Sequence, residues 1–333
     1  MVSAILKESA KALVSVLTLA ISLGAAIAQS ADDYPTRPIT IVVPYPPGGP
    51  PDVIARLFSV PLAKELGRTI IVENRPGAAT TLATSHVARA AADGYTLLAV
   101  EPSLVVTPHT IAQIGFDPIK DFRPVGLWGR TYHTLGVAMN VPAKTVGELI
   151  KLASLKPDTV KIGHSGVGTP PFLSALSFIQ ATGADIQLVP YRGTALVVND
   201  VVGGHVSGVF TGPSTTANLA SQDKLKILGV TGYKRLAAIP DVPTFLESGI
   251  KMEGVNNGIW FGVVAPAATP EPIVSKLNAA IRKAAQDQEI IRKLEAQGIE
   301  AVATTPAEMG KQIASEFAHW RDALAKAGVK PSN

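Results

Sequence analysis

Short β-branched runs alternate along most of the chain with longer segments whose apolar residues recur every three to four positions. Such runs predict strands, and the longer segments predict amphipathic helices. The first third of the chain predicts strands over 39–43, 69–73 and 95–100, with helices over 52–66 and 81–91 between them. Strand and helix in alternation are typical of an α/β protein with parallel strands.

A second series of the same kind begins after Asn140. It predicts strands over 160–164, 186–189, 206–211 and 225–230, and helices over 146–152, 170–180, 196–202 and 214–219. Flanking stretches at 125–139 and 258–265 also have strand character, so we expect hinge strands there. The C-terminal segments predict amphipathic helices over 270–286, 290–297 and 306–327, which would pack on the first half.

The predicted fold class is therefore α/β with two lobes, each a mostly parallel sheet flanked by helices. Residues 29–130 and 256–333 are assigned to lobe one, and residues 131–255 to lobe two. A chain of 333 residues fits two domains of about 100 to 200 residues each once its first 28 residues are set aside.

Those first 28 residues have the parts of a secretory signal peptide. Lys7 and Lys11 give a basic start, an uncharged apolar run follows over 12–26, and Ala26-Ile27-Ala28 matches the small-x-small cleavage pattern. A membrane-spanning helix, the alternative, needs about 20 apolar residues, which is more than this run offers. We expect a periplasmic protein that is cleaved after Ala28.

Composition excludes several classes of function. The chain has no cysteine, which removes disulfides, thiolate metal sites, a cysteine nucleophile and a lipid-bearing cysteine. Its net charge is only +4, its basic residues are scattered, and aromatic residues make up 5% of the chain, so a nucleic-acid partner is not expected.

Two loops follow predicted strands and open predicted helices. Residues 44–52 read PYPPGGPPD, and residues 163–171 read GHSGVGTPP. Such loops lie at the carboxyl edge of a sheet, where ligands of open α/β proteins bind and where a helix N-terminus favours an anion. Glycine amides with the Ser165 and Thr169 hydroxyls offer a carboxylate several neutral donors. The alternatives are a rigid connection in the first loop and helix capping by Thr169 in the second.

Two further loops follow strands. Thr80 or Thr81 could cap the next helix or face the cleft, and capping is favoured. Arg192 assists an anion or anchors a loop.

No constellation of catalytic residues is evident. Gly163-His164-Ser165 begins like a nucleophile elbow, but Val167 stands where that motif requires glycine. The six histidines lack zinc-site spacing, no GxxxxGK[ST] phosphate loop is present, and no acid pair stands out. We predict a protein with no catalytic residues, no metal and no cofactor; a hydrolase or isomerase using Ser165 with His164 is the alternative.

Over residues 34–331 the chain resembles the Bug family, the extracytoplasmic receptors associated with tripartite tricarboxylate transporters, and nine segments in order carry the resemblance. They are YPTRP (34–38), VPYPPGG (43–49), VENRPGA (72–78), DGYTL (93–97), GVGTPP (166–171), VPYRG (189–193), VGGHV (202–206), DVPTF (241–245) and APA (265–267).

The resemblance implies a two-lobed type II periplasmic-binding architecture that holds a small carboxylate, mono- or dicarboxylate and possibly aromatic, between its lobes. It implies contacts with the ligand from Tyr45, Pro46, Gly48 and Gly49 in lobe one and from Ser165, Gly168 and Thr169 in lobe two. The implied partners are membrane transporter subunits or a sensor protein; a docking module that has lost ligand binding is a further alternative.

Some positions depart from the family pattern. Ala79-Thr80 replaces a glycine pair, and Ser207 and Thr211 stand where acidic residues are frequent, so Thr80 and Thr211 join the candidate site. Glu101 stands in a stretch that is commonly small and uncharged. It could pair with a ligand amine, donate a hydrogen bond when protonated, or point to solvent, and we expect it to point to solvent. Phe172 stands where a polar residue is frequent, as a ring-stacking wall or as a helix-packing residue.

Overall fold

The computed structural model describes residues 33–156 and 159–331. Within these ranges the strands are β1 (Ile39–Val43), β2 (Ile70–Asn74), β3 (Thr96–Val100), β4 (Phe122–Thr131), β5 (Thr134–Ala138), β6 (Lys161–His164), β7 (Gln187–Pro190), β8 (Gly208–Thr211), β9 (Leu225–Val230), β10 (Ile259–Pro266) and β11 (Ile299–Glu300).

Ten α-helices are described, together with a 3₁₀ turn over Ala78–Thr80. They are α1 (Pro50–Leu66), α2 (Thr81–Ala88), α3 (Ser103–Thr110), α4 (Val146–Leu155), α5 (Pro170–Thr182), α6 (Thr194–Val202), α7 (Pro213–Ala220), α8 (Glu271–Ala284), α9 (Gln288–Glu295) and α10 (Pro306–Lys326).

The strands form two sheets, so the predicted α/β class with two lobes is confirmed. The first has six strands in the order β11-β4-β10-β3-β1-β2, and the second has five in the order β7-β6-β8-β5-β9. The prediction of mostly parallel sheets was wrong: within the described residues, three of the five strand pairings in the first sheet and two of the four in the second are antiparallel. β1 runs parallel to β2 and β3, and β6 runs parallel to β7 and β8, whereas β10 and β5 run antiparallel to both of their neighbours.

The antiparallel strands follow from the path of the chain between the sheets. Thr131 pairs with Ile259 in the first sheet, and Thr134 pairs with Thr211 and Val230 in the second, so the outward crossing consists of two residues. The predicted strand over 125–139 is therefore two strands in different sheets. β10 lies in the first sheet over its whole length, which places the return crossing before it, within 231–258.

His133 holds the outward crossing against the segment that follows β9. Its amide donates to Thr231 Oγ1 at 2.9 Å, and the Thr231 amide donates to the His133 carbonyl at 2.8 Å. Its Nδ1 lies 2.9 Å from Ser174 Oγ on α5. Burial lowers the pKa of His133 to about 4, so the ring is neutral at neutral pH.

Aromatic side chains fill the core of each lobe. Trp128, Trp260 and Trp320 are fully buried around the first sheet, and Phe178, Phe210 and Phe245 pack with ring centroids 5.6 to 5.8 Å apart on the second.

The predicted signal peptide lies outside the described residues. In the part of the chain that the structure describes, no helix has the length and apolar character needed to cross a bilayer.

Candidate functional site

The loop between β1 and α1 is held in place by Asp52, in the first turn of α1. Asp52 is 2% exposed. Its carboxylate accepts hydrogen bonds from the Gly48 amide at 2.9 Å, from Arg56 Nε at 3.0 Å and from Asn74 Nδ2 at 2.8 Å. Burial alone would raise the pKa of Asp52, but the hydrogen bonds from Arg56, Gly48 and Asn74 lower it below its ordinary value.

This carboxylate changes what the first loop can offer a ligand. Since the Gly48 amide already donates to Asp52, that donor is occupied in this structure. Asn74, the last residue of β2, also donates to the Tyr45 carbonyl at 3.0 Å, which fixes the loop from the opposite side. The anion at the N-terminus of α1 is therefore the protein's own Asp52.

Both helices that follow the candidate loops begin with two prolines. Pro50 and Pro51 open α1, and Pro170 and Pro171 open α5. Proline fixes the first helical φ angles and carries no amide hydrogen. Two of the four free amides expected at a helix N-terminus are therefore missing from each helix.

The loop between β6 and α5 keeps amide donors. Within the described residues, the Val167 and Gly168 amides donate to no protein acceptor. Thr169 Oγ1 donates to the Gly166 carbonyl at 2.7 Å and accepts from Ser165 Oγ at 3.2 Å. The alternative of helix capping by Thr169 was wrong, because its side chain makes no capping hydrogen bond.

The two sheets bring these loops face to face through α3. A Cβ atom built on Gly168 would lie 3.3 Å from Val106 Cγ1 and 3.5 Å from Thr110 Oγ1, so the second loop touches the body of α3. At the N-terminal end of α3, Ser103 Oγ lies 3.0 Å from Tyr45 Oη in the first loop. Helix α3 therefore links the two candidate loops.

Glu101 lies under this contact and not in solvent, so the expectation for it was wrong. Val42 pairs with Leu98 in the parallel β1–β3 ladder, which carries Tyr45 and Glu101 to the same sheet edge. The side chain is buried, and Glu101 Oε1 accepts a hydrogen bond from Tyr45 Oη. Burial raises the pKa of Glu101, although the neighbouring Ser103 and the hydrogen bond from Tyr45 oppose that shift.

The model for the tripartite tricarboxylate transporter family receptor matches residues 54–329. The chain belongs to this receptor family. BugT of Bordetella pertussis is 33% identical over 309 residues, which are 92% of this chain and 94% of BugT.

Two solved structures add ligands bound by similar proteins. The R. palustris protein Rpa4515, whose structure is with adipate, is 32% identical with a TM-score of 0.78 over 90% of this chain and 100% of that one. MatC from Rhodopseudomonas palustris, with bound malate, is 31% identical with a TM-score of 0.72 over 87% of this chain and 100% of that one.

The receptor brings most of the candidate residues to two facing sheet edges. Tyr45, Pro46, Gly48 and Gly49 form the loop on the first edge, and Ser165, Gly168 and Thr169 form the loop on the second. Gly163 pairs with Val209, so Ser165 and Thr211 both lie two residues beyond the pair at neighbouring strand ends.

Two further candidates follow strands that end at these edges, β7 beside β6 and β2 beside β1. Arg192 follows the edge strand β7, is exposed, and forms no ion pair among the described residues. Thr80 is buried in the left-handed region at φ 79°, and its side chain makes no capping hydrogen bond, so the favoured capping role was wrong.

The alternative of a Ser165–His164 nucleophile has no support in the geometry. His164 Nδ1 accepts from the Gly166 amide at 3.2 Å, and its ring packs on Phe172 with centroids 5.0 Å apart. Ser165 Oγ donates to Thr169 and not to the imidazole. Phe172 is buried in the hydrophobic core, which favours helix packing over a ring-stacking wall. Over 33–156 and 159–331, no group of three or more His, Asp or Glu residues is arranged to hold a metal.

Three residues of the site were missed by sequence reasoning. Asp52 and Asn74 fix the first loop, and Ser103 joins it to α3. The acid in the first turn after a Gly-Gly-Pro-Pro segment is a detectable signal, because a carboxylate there complements the helix dipole. Asn74 and Ser103 carry no comparable signal, since their partners are 29 and 58 residues away.

Replacing Thr169 with valine is expected to lower the free energy of unfolding by about 1 kcal/mol, because the hydroxyl ties the second loop to Gly166. The control is Thr194→Val at the start of α6, where the hydroxyl forms no hydrogen bond with the described chain. Urea titration should shift the midpoint for Thr169→Val only. Equal shifts in the two variants would remove this role from Thr169.

Proposed function

We propose that the protein is an exported receptor that captures a small carboxylate between its two lobes and delivers it to the membrane subunits of a tripartite tricarboxylate-type transporter. The observation that supports this most directly is the contact of Gly168 with α3, whose first residue contacts Tyr45. A ligand at that junction would touch both lobes at once, and only such a ligand can favour the closed state over the open one.

Neutral donors make a carboxylate the favoured ligand. Among the described residues, the Val167 and Gly168 amides of the second loop donate to no protein acceptor, and no Lys or Arg side chain is bound to the glycines of either loop. Backbone amides and hydroxyls hold carboxylate oxygens by charge-assisted hydrogen bonds. Adipate and malate in similar receptors are both carboxylates.

The remaining parts of the proposal concern location and chemistry. The chain is proposed to reach the periplasm through its signal peptide, with cleavage after Ala28, and to release its ligand chemically unchanged. Its proposed lobes are residues 29–130 with 256–333, and residues 131–255. Support for the absence of catalysis comes from the separate hydrogen bonds of Ser165 and His164.

A thermal-shift screen of the protein starting at Gln29 tests the function. Aliphatic and aromatic mono- and dicarboxylates are compared with the neutral amide of each skeleton. A specific ligand at a hundredfold excess over its dissociation constant stabilises the folded state by about 2.7 kcal/mol, which raises the melting temperature by several degrees. We expect stabilisation by carboxylates and none by their amides. Stabilisation by the amides alone would contradict the proposal.

A further inference from the structure

A buried carboxyl oxygen lies beside the junction of the loops without a partner. Glu101 is 3% exposed, and its Oε1 accepts the hydrogen bond from Tyr45 Oη. Its Oε2 is inaccessible and has no hydrogen-bond partner in the part of the chain that the structure describes. Buried polar atoms are nearly always hydrogen-bonded, so an unpaired carboxyl oxygen calls for an explanation.

No side chain in the described part of the chain supplies a counter-charge to this carboxyl. Among residues 33–156 and 159–331, no Lys, Arg or His nitrogen lies within 4 Å of Glu101. Burial also raises the pKa of Tyr45, so that the phenol stays a neutral donor to Glu101. A buried carboxylate is normally retained only where a cation or several hydrogen bonds compensate its lost hydration.

Glu101 lies beside the residues through which the first candidate loop contacts α3. Tyr45 belongs to the first candidate loop, and Ser103 begins the helix that Gly168 of the second loop touches. The carboxyl is therefore adjacent to the proposed carboxylate site on the side of lobe one. A cationic nitrogen at this position would favour the ionised form of Glu101 and reverse the effect of its burial.

We infer that Glu101 is a subsite for a protonated amino group, whose N–H donates to Oε2, and that the ligand is an amino-bearing carboxylate. This inference rests on the proposed function, since the glycine loops are taken to hold the carboxylate end. A positively charged N–H donor would supply the hydrogen bond that Oε2 lacks and would also compensate the buried negative charge of Glu101. A plain carboxylate would do neither, because its oxygens repel an ionised Glu101.

Matched pairs of compounds test the inference by titration calorimetry on the protein starting at Gln29. The pairs are glutamate with glutarate, aspartate with succinate, and phenylalanine with 3-phenylpropionate, so that each pair differs only in the amino group. Wild-type protein is expected to bind the amino member of at least one pair at least about tenfold more tightly than its partner, as one charge-assisted hydrogen bond would give. This comparison needs no variant.

Glu101→Gln then removes the charge and keeps the shape. Affinity for the preferred amino compound is expected to fall about tenfold to a hundredfold, while affinity for its amino-free partner stays the same or rises. Glu289→Gln is the control, because Glu289 lies on the exposed face of α9 and pairs with Lys293. It should leave both affinities unchanged.

The contrary outcomes are distinct. The inference would be overturned if, in every pair that binds, the amino-free member bound more tightly than the amino member or with the same affinity. Either result would leave the proposed function standing. Unchanged affinity for the amino compound in Glu101→Gln would identify Glu101 as a protonated donor, which also overturns it. An equal loss of affinity for both members of a pair in Glu101→Gln would mean that Glu101 only positions Tyr45, which would also overturn the inference. Binding of neither member of any pair, with no hit in the carboxylate screen, would contradict the proposed function itself.

Discussion

Replacing Gly168 with valine is expected to weaken ligand binding by at least about a hundredfold, or about 2.7 kcal/mol. A Cβ at this residue would already lie 3.3 Å from Val106 Cγ1 and 3.5 Å from Thr110 Oγ1, and the two methyl groups of valine would extend further towards α3. The side chain would therefore hold the second loop away from lobe one. Titration with the carboxylate found in the screen measures the loss.

Backbone strain must be separated from this obstruction of closure. Gly168 has φ +84°, and an L-residue in the left-handed region costs about 1 to 2 kcal/mol. Gly183 after α5 has φ +65° and open space around its Cβ position, so Gly183→Val carries the strain without a contact between lobes. Both variants should lose similar stability, and only Gly168→Val should lose binding. Equal binding in the two would mean that closure does not bring Gly168 against α3.

Replacing Asp52 with alanine is expected to lower the free energy of unfolding by about 3 kcal/mol. The change leaves the Gly48 amide, Arg56 and Asn74 without their shared acceptor. Glu65→Ala on the same helix is the control, because Glu65 forms an ion pair with the exposed Lys283 and should contribute at most about 1 kcal/mol. Urea unfolding measures both.

Acid should remove the contribution of Asp52 to the free energy of unfolding. Its pKa is lowered from the ordinary 3.8 in the folded protein, so its stabilisation is complete above pH 3.8 and is lost as the pH falls through the lowered value. The stability difference between wild type and the uncharged Asp52→Asn should therefore be constant at neutral pH and shrink in strong acid. A difference that grew on acidification would contradict the assignment.

The candidate loops could be predicted from sequence because their signal is local. A β-branched run, a glycine-rich turn and a proline-opened helix follow one another within about ten residues in both lobes, and the structure contains β1–α1 and β6–α5 at those places. The sheet edge at which each loop lies also follows from the predicted parallel strands, since a parallel strand must end at the same edge as its neighbour.

The position of Glu101 could not be predicted in this way. Residues 103–110 read SLVVTPHT, and two β-branched valines with an internal proline do not predict a helix, so α3 was missed. It is α3 and Tyr45 that enclose Glu101, and both contacts depend on the pairing of β1 with β3. Similarly, antiparallel β5 and β10 could not be foreseen, because strand direction at the crossings is decided by tertiary connectivity.

The proline pairs at the start of α1 and α5 affect how long a ligand stays bound. Each proline removes one amide that would otherwise point at a bound anion. Differences in affinity among related complexes arise mainly in the rate of dissociation, so fewer donors mean a shorter residence time. In a receptor that must release its ligand, the same prolines that stiffen the loops would thus keep ligand exchange rapid.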